Sequence, residues 1–169
     1  HGLMTGAEKA QWLAAFILEK WQALGKPCAK PLIDQALAFC EERAATHNPA
    51  NAVLVHGDAH ANNALLVGDV QTDGPLRYKF VDPDGLFAEK ACDLAVAMRD
   101  WSEALLAGDT LRLARDRCAL LATLTGVEER AIWQWGLMER VSTGLHMMEI
   151  GMKTEGLATL AVAERIYRG

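Results

Sequence analysis

The chain has 169 residues, of which 51% are hydrophobic and 23% charged, and this composition excludes intrinsic disorder as its main state. The net charge of −5, with no basic stripe, argues against a nucleic-acid partner. No stretch is apolar enough to span a membrane and the first residues lack the pattern of a signal peptide, so we expect a cytoplasmic protein without a membrane partner. We expect residues 1–169 to form a single domain.

The first third of the chain predicts two helices. Apolar residues at helical spacing mark them, namely Leu13, Ile17, Trp21 and Leu24 for the first, and Ile33, Leu37, Cys40 and Ala44 for the second. Pro27 follows the end of the first pattern, and Asn48-Pro49 ends the second.

Three short strands are predicted next, at residues 53–55, 64–67 and 78–81. Each is a short run rich in apolar or β-branched residues, and we expect the first two to be buried. A loop rich in turn-forming residues, 68–75, joins the second and third strands, so we expect these two strands to form a hairpin.

Helical periodicity returns from Cys92 to the end of the chain. Leu94, Met98, Trp101 and Leu105 share one predicted face, and three further helices are predicted near residues 111–121, 133–145 and 157–167. The predicted fold class is therefore mainly α with a small β insert.

The four cysteines, Cys28, Cys40, Cys92 and Cys118, are scattered and form no CxxC pair. This spacing argues against a zinc ribbon or a redox motif, and we expect buried thiols.

A dense set of polar residues lies around the predicted strands. The segment His56-Gly57-Asp58-Ala59-His60-Ala61-Asn62-Asn63 joins the first two strands, and Asp82 follows the third. Phosphoryl transfer from ATP to a hydroxyl needs a carboxylate to orient the acceptor and take its proton, and oxygen ligands for Mg²⁺. Asp58, Asn63 and Asp82 could supply these groups in that order.

The motif HGDxHxxN resembles the catalytic loop of the aminoglycoside phosphotransferases, which are relatives of the protein kinases. Residues 81–87, followed by Glu89 and Cys92-Asp93-Leu94, resemble most closely the streptomycin and hydroxyurea phosphotransferase branch. The resemblance covers nearly the whole chain. It implies the C-terminal lobe of a protein-kinase-like fold, and an ATP- and Mg²⁺-dependent antibiotic resistance kinase acting on a hydroxyl of an aminoglycoside such as streptomycin, or of a related small molecule.

The resemblance also implies roles for individual residues. Asp58 corresponds to the catalytic base, and Asn63 and Asp82 to the magnesium ligands. His56 and His60 resemble residues that shape the loop. Asp93 resembles the carboxylate that braces the loop; an aspartate at a helix start is also commonly an N-cap, so its purpose is structural in either case.

Three acidic residues are weaker candidates for contacting a small cationic or hydroxylated substrate. Asp84 and Glu89 follow Asp82, and Glu149 lies on a predicted helix near the expected acceptor site. A guanidine-bearing acceptor favours carboxylates, and solvated surface charge is the alternative for all three. The single helical histidine His146 is expected to be an ordinary surface residue.

A complete kinase-like enzyme also has an N-terminal lobe that covers the nucleotide and supplies a lysine for the phosphates. This sequence has no GxGxxG motif and no strand with such a lysine. Because the chain opens on His1, we expect it to be the C-terminal lobe of a longer enzyme. Alone it would be inactive, with an exposed lobe face that favours self-association.

Two other functions fit parts of the sequence. A metallophosphoesterase would use the DxH at Asp58-Ala59-His60, but its GDxxD and GNH elements do not follow. A kinase-like lobe that binds ligands without turnover is the non-enzymatic alternative.

Overall fold

The computed structural model describes residues 2–68 and 76–168. Within these residues the helices are α1 (Gly6–Ala23), α2 (Lys30–Ala45), α3 (Ala91–Arg99), α4 (Ser102–Leu106), α5 (Thr110–Thr125), α6 (Glu129–Glu149) and α7 (Lys153–Ile166). The strands are β1 (Val53–Val55), β2 (Ala64–Val67), β3 (Arg77–Phe80) and β4 (Leu86–Ala88). The predicted fold class, mainly α with a small β insert, is confirmed.

Helix α6 is the centre of the helical body. It packs against α1, α2, α3, α5 and α7. Its buried residues include Ile132, Leu137, Met138 and Leu145, which lie on several sides of the helix, as expected for a helix covered by neighbours on most of its surface.

Helix α1 is fixed at its N-terminus beside β4. Thr5 and Glu8 form a capping box, in which the Thr5 side chain accepts from the Glu8 amide and Glu8 accepts from the Thr5 amide. Just before the cap, the Phe87 amide of β4 donates to the Met4 carbonyl at 2.9 Å. These bonds place the first turns of α1 close to the polar loop that follows β1.

Two antiparallel strand pairs make up the β structure. β2 pairs with β3, with Ala64 opposite Phe80, so the predicted hairpin is confirmed. The predicted connecting loop falls mostly on residues 69–75, which lie outside the described residues. β1 pairs with β4, a strand that sequence analysis missed because Leu86-Phe87-Ala88, unlike Val53-Leu54-Val55, has no β-branched residue.

The prediction that the first two strands are buried is wrong. Of β1 only Val55 is buried, while Leu54 is 70% exposed and Leu65 of β2 is 54% exposed. Hydrophobic, β-branched sequence indicates a tendency to form strands, whereas burial depends on what packs against each face.

The predicted helical face from Leu94 to Leu105 is interrupted. The chain leaves α3 at Asp100 and adopts a left-handed conformation at Trp101, with φ of 58°, before α4 begins. The Asp100 carbonyl accepts from Arg117 and from the fully buried Arg140, each at 3.0 Å. These arginines bind a carbonyl that has no partner within α3, so the break is favoured by residues distant in sequence.

All four cysteines are free and buried, as predicted. Burial raises the pKa of Cys28 to about 11 and the pKa values of Cys40, Cys92 and Cys118 to about 12, so these thiols stay protonated near neutral pH.

No helix among the described residues is both long and apolar enough to cross a bilayer.

Candidate active site

The loop after β1, residues 56–63, is anchored by hydrogen bonds to the Asp93 side chain. The two carboxylate oxygens of Asp93 accept from the backbone amides of His56 and Gly57, at 2.8 and 2.7 Å. Asp93 lies in the first turn of α3, where a negative charge also interacts favourably with the helix dipole, and the N-cap position belongs to Lys90. The carboxylate therefore ties the start of the loop to the helical body.

His56 joins this loop to the end of β3. Its Nε2 lies 3.0 Å from the Val81 carbonyl oxygen, and its Nδ1 accepts from the Asp58 amide at 3.3 Å. Since a carbonyl only accepts and an amide N–H only donates, these two contacts select the neutral imidazole with its proton on Nε2. In this form, His56 orients the backbone on which Asp58 sits.

His60 closes the other side of the loop. Its Nδ1 accepts from the Asn62 amide at 3.1 Å and caps the short 3₁₀ helix Ala61–Asn63, while its Nε2 lies 3.2 Å from Asp58 Oδ2. Both ring nitrogens are thus engaged within the loop. This arrangement argues against His60 as a metal ligand and so against the metallophosphoesterase interpretation.

Asp58 is half-buried and is surrounded by donors. Oδ1 accepts a hydrogen bond from Arg99 Nη2, while Oδ2 accepts from Asn63 Nδ2 at 3.3 Å and faces His60. Asn63 also donates to the Asp58 backbone carbonyl at 3.0 Å. These contacts leave the carboxylate little rotational freedom, which is the requirement for a group that must meet a substrate proton in one orientation.

The backbone segments that carry Asn63 and Asp82 are joined, because the amide of Val81, the residue before Asp82, donates to the Asn63 carbonyl at 2.9 Å. Asp82 is exposed and has a left-handed backbone, with φ of 57°. Amide and carboxylate oxygens suit Mg²⁺, so the residues fit this cation. Among the described residues no group of three or more His, Cys, Asp or Glu side chains could hold a metal ion. A metal at Asn63 and Asp82 would therefore share its coordination with other oxygen ligands, such as phosphates.

A cleft opens beside Asp58 between α1, α6 and the loops. Its wall combines the exposed ring of Trp12, stacked on Phe16 with ring centroids 5.2 Å apart, with charged groups from α1, α3 and α6. The charged and ionisable residues that line it are Lys9, Asp58, Asp84, Arg99, Glu139 and His146.

Only one of the three weaker candidates lies in this cleft. Asp84 lines it, whereas Glu89 accepts from the buried Trp135 indole at 2.8 Å. Glu149 pairs with Lys20 at 2.8 Å, and this hydrogen bond lowers the pKa of Glu149. Neither Glu89 nor Glu149 lines the cleft. His146, expected to be ordinary, lies at the edge of the cleft, and its Nδ1 is 3.5 Å from Glu149 Oε2.

Sequence reasoning missed Lys9, Arg99 and Glu139. Lys9 was detectable, because it shares a helical face with the buried Leu13 and Ile17, where a lysine is unusual. Glu139 likewise follows the buried Trp135 at a spacing of four. Arg99 ends α3 without any comparable signal.

Gly57 is required by its conformation and by its neighbours. Its φ is +87°, and an added Cβ would lie 2.9 Å from the Asp84 Cβ and 3.2 Å from Leu86 Cδ1. We expect Gly57→Ala to lower the free energy of unfolding by about 2–4 kcal/mol, from a left-handed backbone and overpacking together. Activity should fall too, because Asp58 is the next residue. Denaturant unfolding and kcat would measure both effects.

Gly25→Ala is the matched control for this variant. Gly25 also has a positive φ, +75°, but nothing lies within 4 Å of its added Cβ. The free energy of unfolding of the Gly25→Ala protein should fall by about 1–2 kcal/mol, and its activity should be unchanged. Equal losses of stability in the two variants would show that the contacts around Gly57 are unimportant.

Removing the Asp93 carboxylate should loosen the whole loop. Asp93→Ala deletes two charge-assisted hydrogen bonds, each contributing about 1.5–3 kcal/mol, so we expect a stability loss of about 3 kcal/mol or more together with a lower kcat. The control is Asp109→Ala, which removes the exposed N-cap of α5, where Asp109 accepts from the Arg112 amide at 3.1 Å. This substitution should lower the free energy of unfolding by about 1 kcal/mol and leave the activity unchanged. An Asp93→Ala protein as stable and active as the control would contradict the bracing role.

The fold is mainly α and places the hydrogen-bonded polar loop beside an open cleft. In a comparison with protein families, the model of the aminoglycoside/hydroxyurea antibiotic resistance kinases matches residues 10–151. The chain belongs to this family, and thus to the antibiotic resistance kinases. The searches of curated proteins and of solved structures found no match.

Proposed function

We propose that this chain carries the catalytic and acceptor-binding part of an ATP-dependent phosphotransferase. Its acceptor would be a hydroxyl of an aminoglycoside such as streptomycin, or of a related small molecule. The observation that carries the proposal is the position of Asp58, whose carboxylate lies at the cleft and is fixed by Arg99, His60 and Asn63.

In the proposed reaction, the acceptor hydroxyl enters the cleft and gives its proton to Asp58. The acceptor oxygen forms a bond to the γ-phosphorus of ATP, and the bond from that phosphorus to the bridging oxygen breaks. ADP leaves with the electron pair of the broken bond. Asp58 orients the attacking oxygen throughout, as the equivalent aspartate does in kinases.

Asn63 and Asp82 would hold Mg²⁺ in this proposal. The ion would supply positive charge at the β- and γ-phosphates. The hydrogen bond between the backbones of Asn63 and Val81 supports this role, because it joins the two segments that carry Asn63 and Asp82.

The cleft also favours a particular kind of acceptor. Trp12 and Phe16 offer an apolar wall for a ring, while Asp84 is the exposed carboxylate that could meet a basic group. These features support a ring-bearing, hydroxylated acceptor with positive charge. Asp84 is the candidate among the three acidic residues, since neither Glu89 nor Glu149 lines the cleft.

The test is a panel of acceptors incubated with ATP and Mg²⁺ and the natural full-length protein. The panel includes streptomycin, other aminoglycosides, hydroxyurea and simple polyols, and ADP release and acceptor mass are followed together. We expect one acceptor class to gain the mass of a phosphoryl group. Acceptor binding without ADP release would instead favour the non-catalytic lobe.

A further inference from the structure

Four charged side chains form a continuous row along the floor of the cleft. Lys9 Nζ lies 2.8 Å from Glu139 Oε1, and Glu139 Oε2 lies 3.2 Å from Arg99 Nη1. Arg99 Nη2 donates a hydrogen bond to Asp58 Oδ1. The side chains of Lys9 and Glu139 are 9% and 5% exposed, whereas that of Asp58 is 30% exposed. The row therefore runs from a buried ion pair to the accessible carboxylate.

The planar guanidinium of Arg99 is held at both of its terminal nitrogens. Glu139 binds Nη1 and Asp58 binds Nη2, so a rotation of the guanidinium that freed one contact would disturb the other. Glu139 thus determines where Arg99 presents its second nitrogen.

Lys9 holds the Glu139 carboxylate in place by their direct contact. Burial is the largest influence on the pKa of Lys9 and lowers it. The contributions of Glu139, Cys92 and Asp84 together outweigh burial, so the pKa of Lys9 is raised and the ammonium stays protonated. Its Nζ also lies 3.5 Å from the carbonyl oxygen of Gly57, the residue before Asp58. Helix α1 therefore contacts the loop directly as well as through Glu139.

We infer that Lys9 and Glu139 are positioning residues that hold Arg99, and through it Asp58, in the orientation needed for phosphoryl transfer. This inference rests on the proposed function. Neither residue takes part in the proton transfer itself. The competing explanation is a buried ion pair that only stabilises the fold.

The two explanations differ when the pair is replaced as a whole. Removing one partner leaves a buried charge without a counter-charge and destabilises the fold. Replacing both partners by apolar residues of similar size often leaves stability unchanged. The double variants Lys9→Met/Glu139→Gln and Lys9→Met/Glu139→Leu both remove the charges. Only the glutamine oxygen can still accept a hydrogen bond from Arg99 Nη1.

We expect both double variants to unfold near the wild-type temperature but to differ in kcat. The leucine double variant should lose about 10²-fold in kcat and the glutamine double variant about 10-fold, with acceptor KM within threefold of wild type in both. A merely structural pair predicts equal kcat values in two equally stable variants. Wild-type kcat in both, or a kcat loss that only follows the melting temperature, would overturn the inference.

The control is Arg130→Met/Glu42→Gln, which removes a bidentate pair with contacts of 2.9 and 2.7 Å between α6 and α2, away from the cleft. It should keep wild-type kcat. If the Asp58→Asn protein is also fully active, the proposed function fails. If Asp58→Asn is inactive while the leucine double variant is fully active, only the positioning inference fails.

A measurement independent of turnover uses nitrogen NMR of the arginine side chains. Arg99 should show separate Nη signals in the wild type, because both terminal nitrogens are held, and averaged signals in the leucine double variant. Assignment comes from an Arg99→Lys protein. Separate signals that persist in the leucine double variant would also overturn the inference.

Discussion

Replacing Asp58 by asparagine is expected to lower kcat by about 10²–10⁴-fold, the range that a general base contributes. The amide cannot take the acceptor proton. Its NH₂ group would also meet the donors of His60 and Asn63 that now face Oδ2. The KM for ATP should stay near the wild-type value, since the change leaves Asn63 and Asp82 in place. Steady-state kinetics with the full-length protein measure both quantities.

The fold should survive this substitution. Arg99 keeps Glu139 as a partner when the charge of Asp58 is removed, so no buried cation is left alone. The control is Asp34→Asn on the exposed face of α2, where Asp34 pairs with Lys30, and this variant should be fully active. A kcat within threefold of wild type in the Asp58→Asn protein would remove Asp58 from the mechanism.

Asp82→Ala is expected to reduce kcat by about 10³-fold or more, and Asn63→Ala by a smaller factor. A metal ion contributes several kcal/mol to catalysis, and each 1.36 kcal/mol is a factor of ten in rate. The carboxylate brings a charge that an amide cannot replace. Excess Mg²⁺ should therefore recover part of the activity of Asn63→Ala but little of that of Asp82→Ala. The measurement is kcat as a function of Mg²⁺ concentration.

The structure adds a second expectation for Asn63. Its Nδ2 donates to the Asp58 carbonyl and carboxylate, so the Asn63→Ala substitution also removes two hydrogen bonds that hold Asp58. At saturating Mg²⁺, kcat of this variant should therefore still be below the wild-type value. Asp116→Ala, on the exposed surface of α5, serves as the control. Equal Mg²⁺ dependence in the Asp82→Ala protein and the wild type would exclude Asp82 as a ligand.

Local sequence was sufficient for the polar loop and for all helices except the pair α3 and α4, which it predicted as one continuous face. Leu13 and Ile17 follow the helical period because a helix buries one face, and both are buried in α1. The β2–β3 hairpin was also predicted, since its strands are neighbours along the chain. The order of Asp58, Asn63 and Asp82 suggested phosphoryl transfer from the residue types alone, and these assignments stay predictions until the variants are measured.

Sequence alone determined which chemical groups this protein possesses and where most of its helices form, because both depend on residue type and on spacing within a few residues. Tertiary structure decided what surrounds Asp58. The row from Lys9 through Glu139 and Arg99 joins α1, α6 and α3, and the break after Asp100 depends on Arg117 and Arg140 from α5 and α6. Side chains so far apart along the chain meet only when the helices pack, and no local period records which charges will then be close enough to pair.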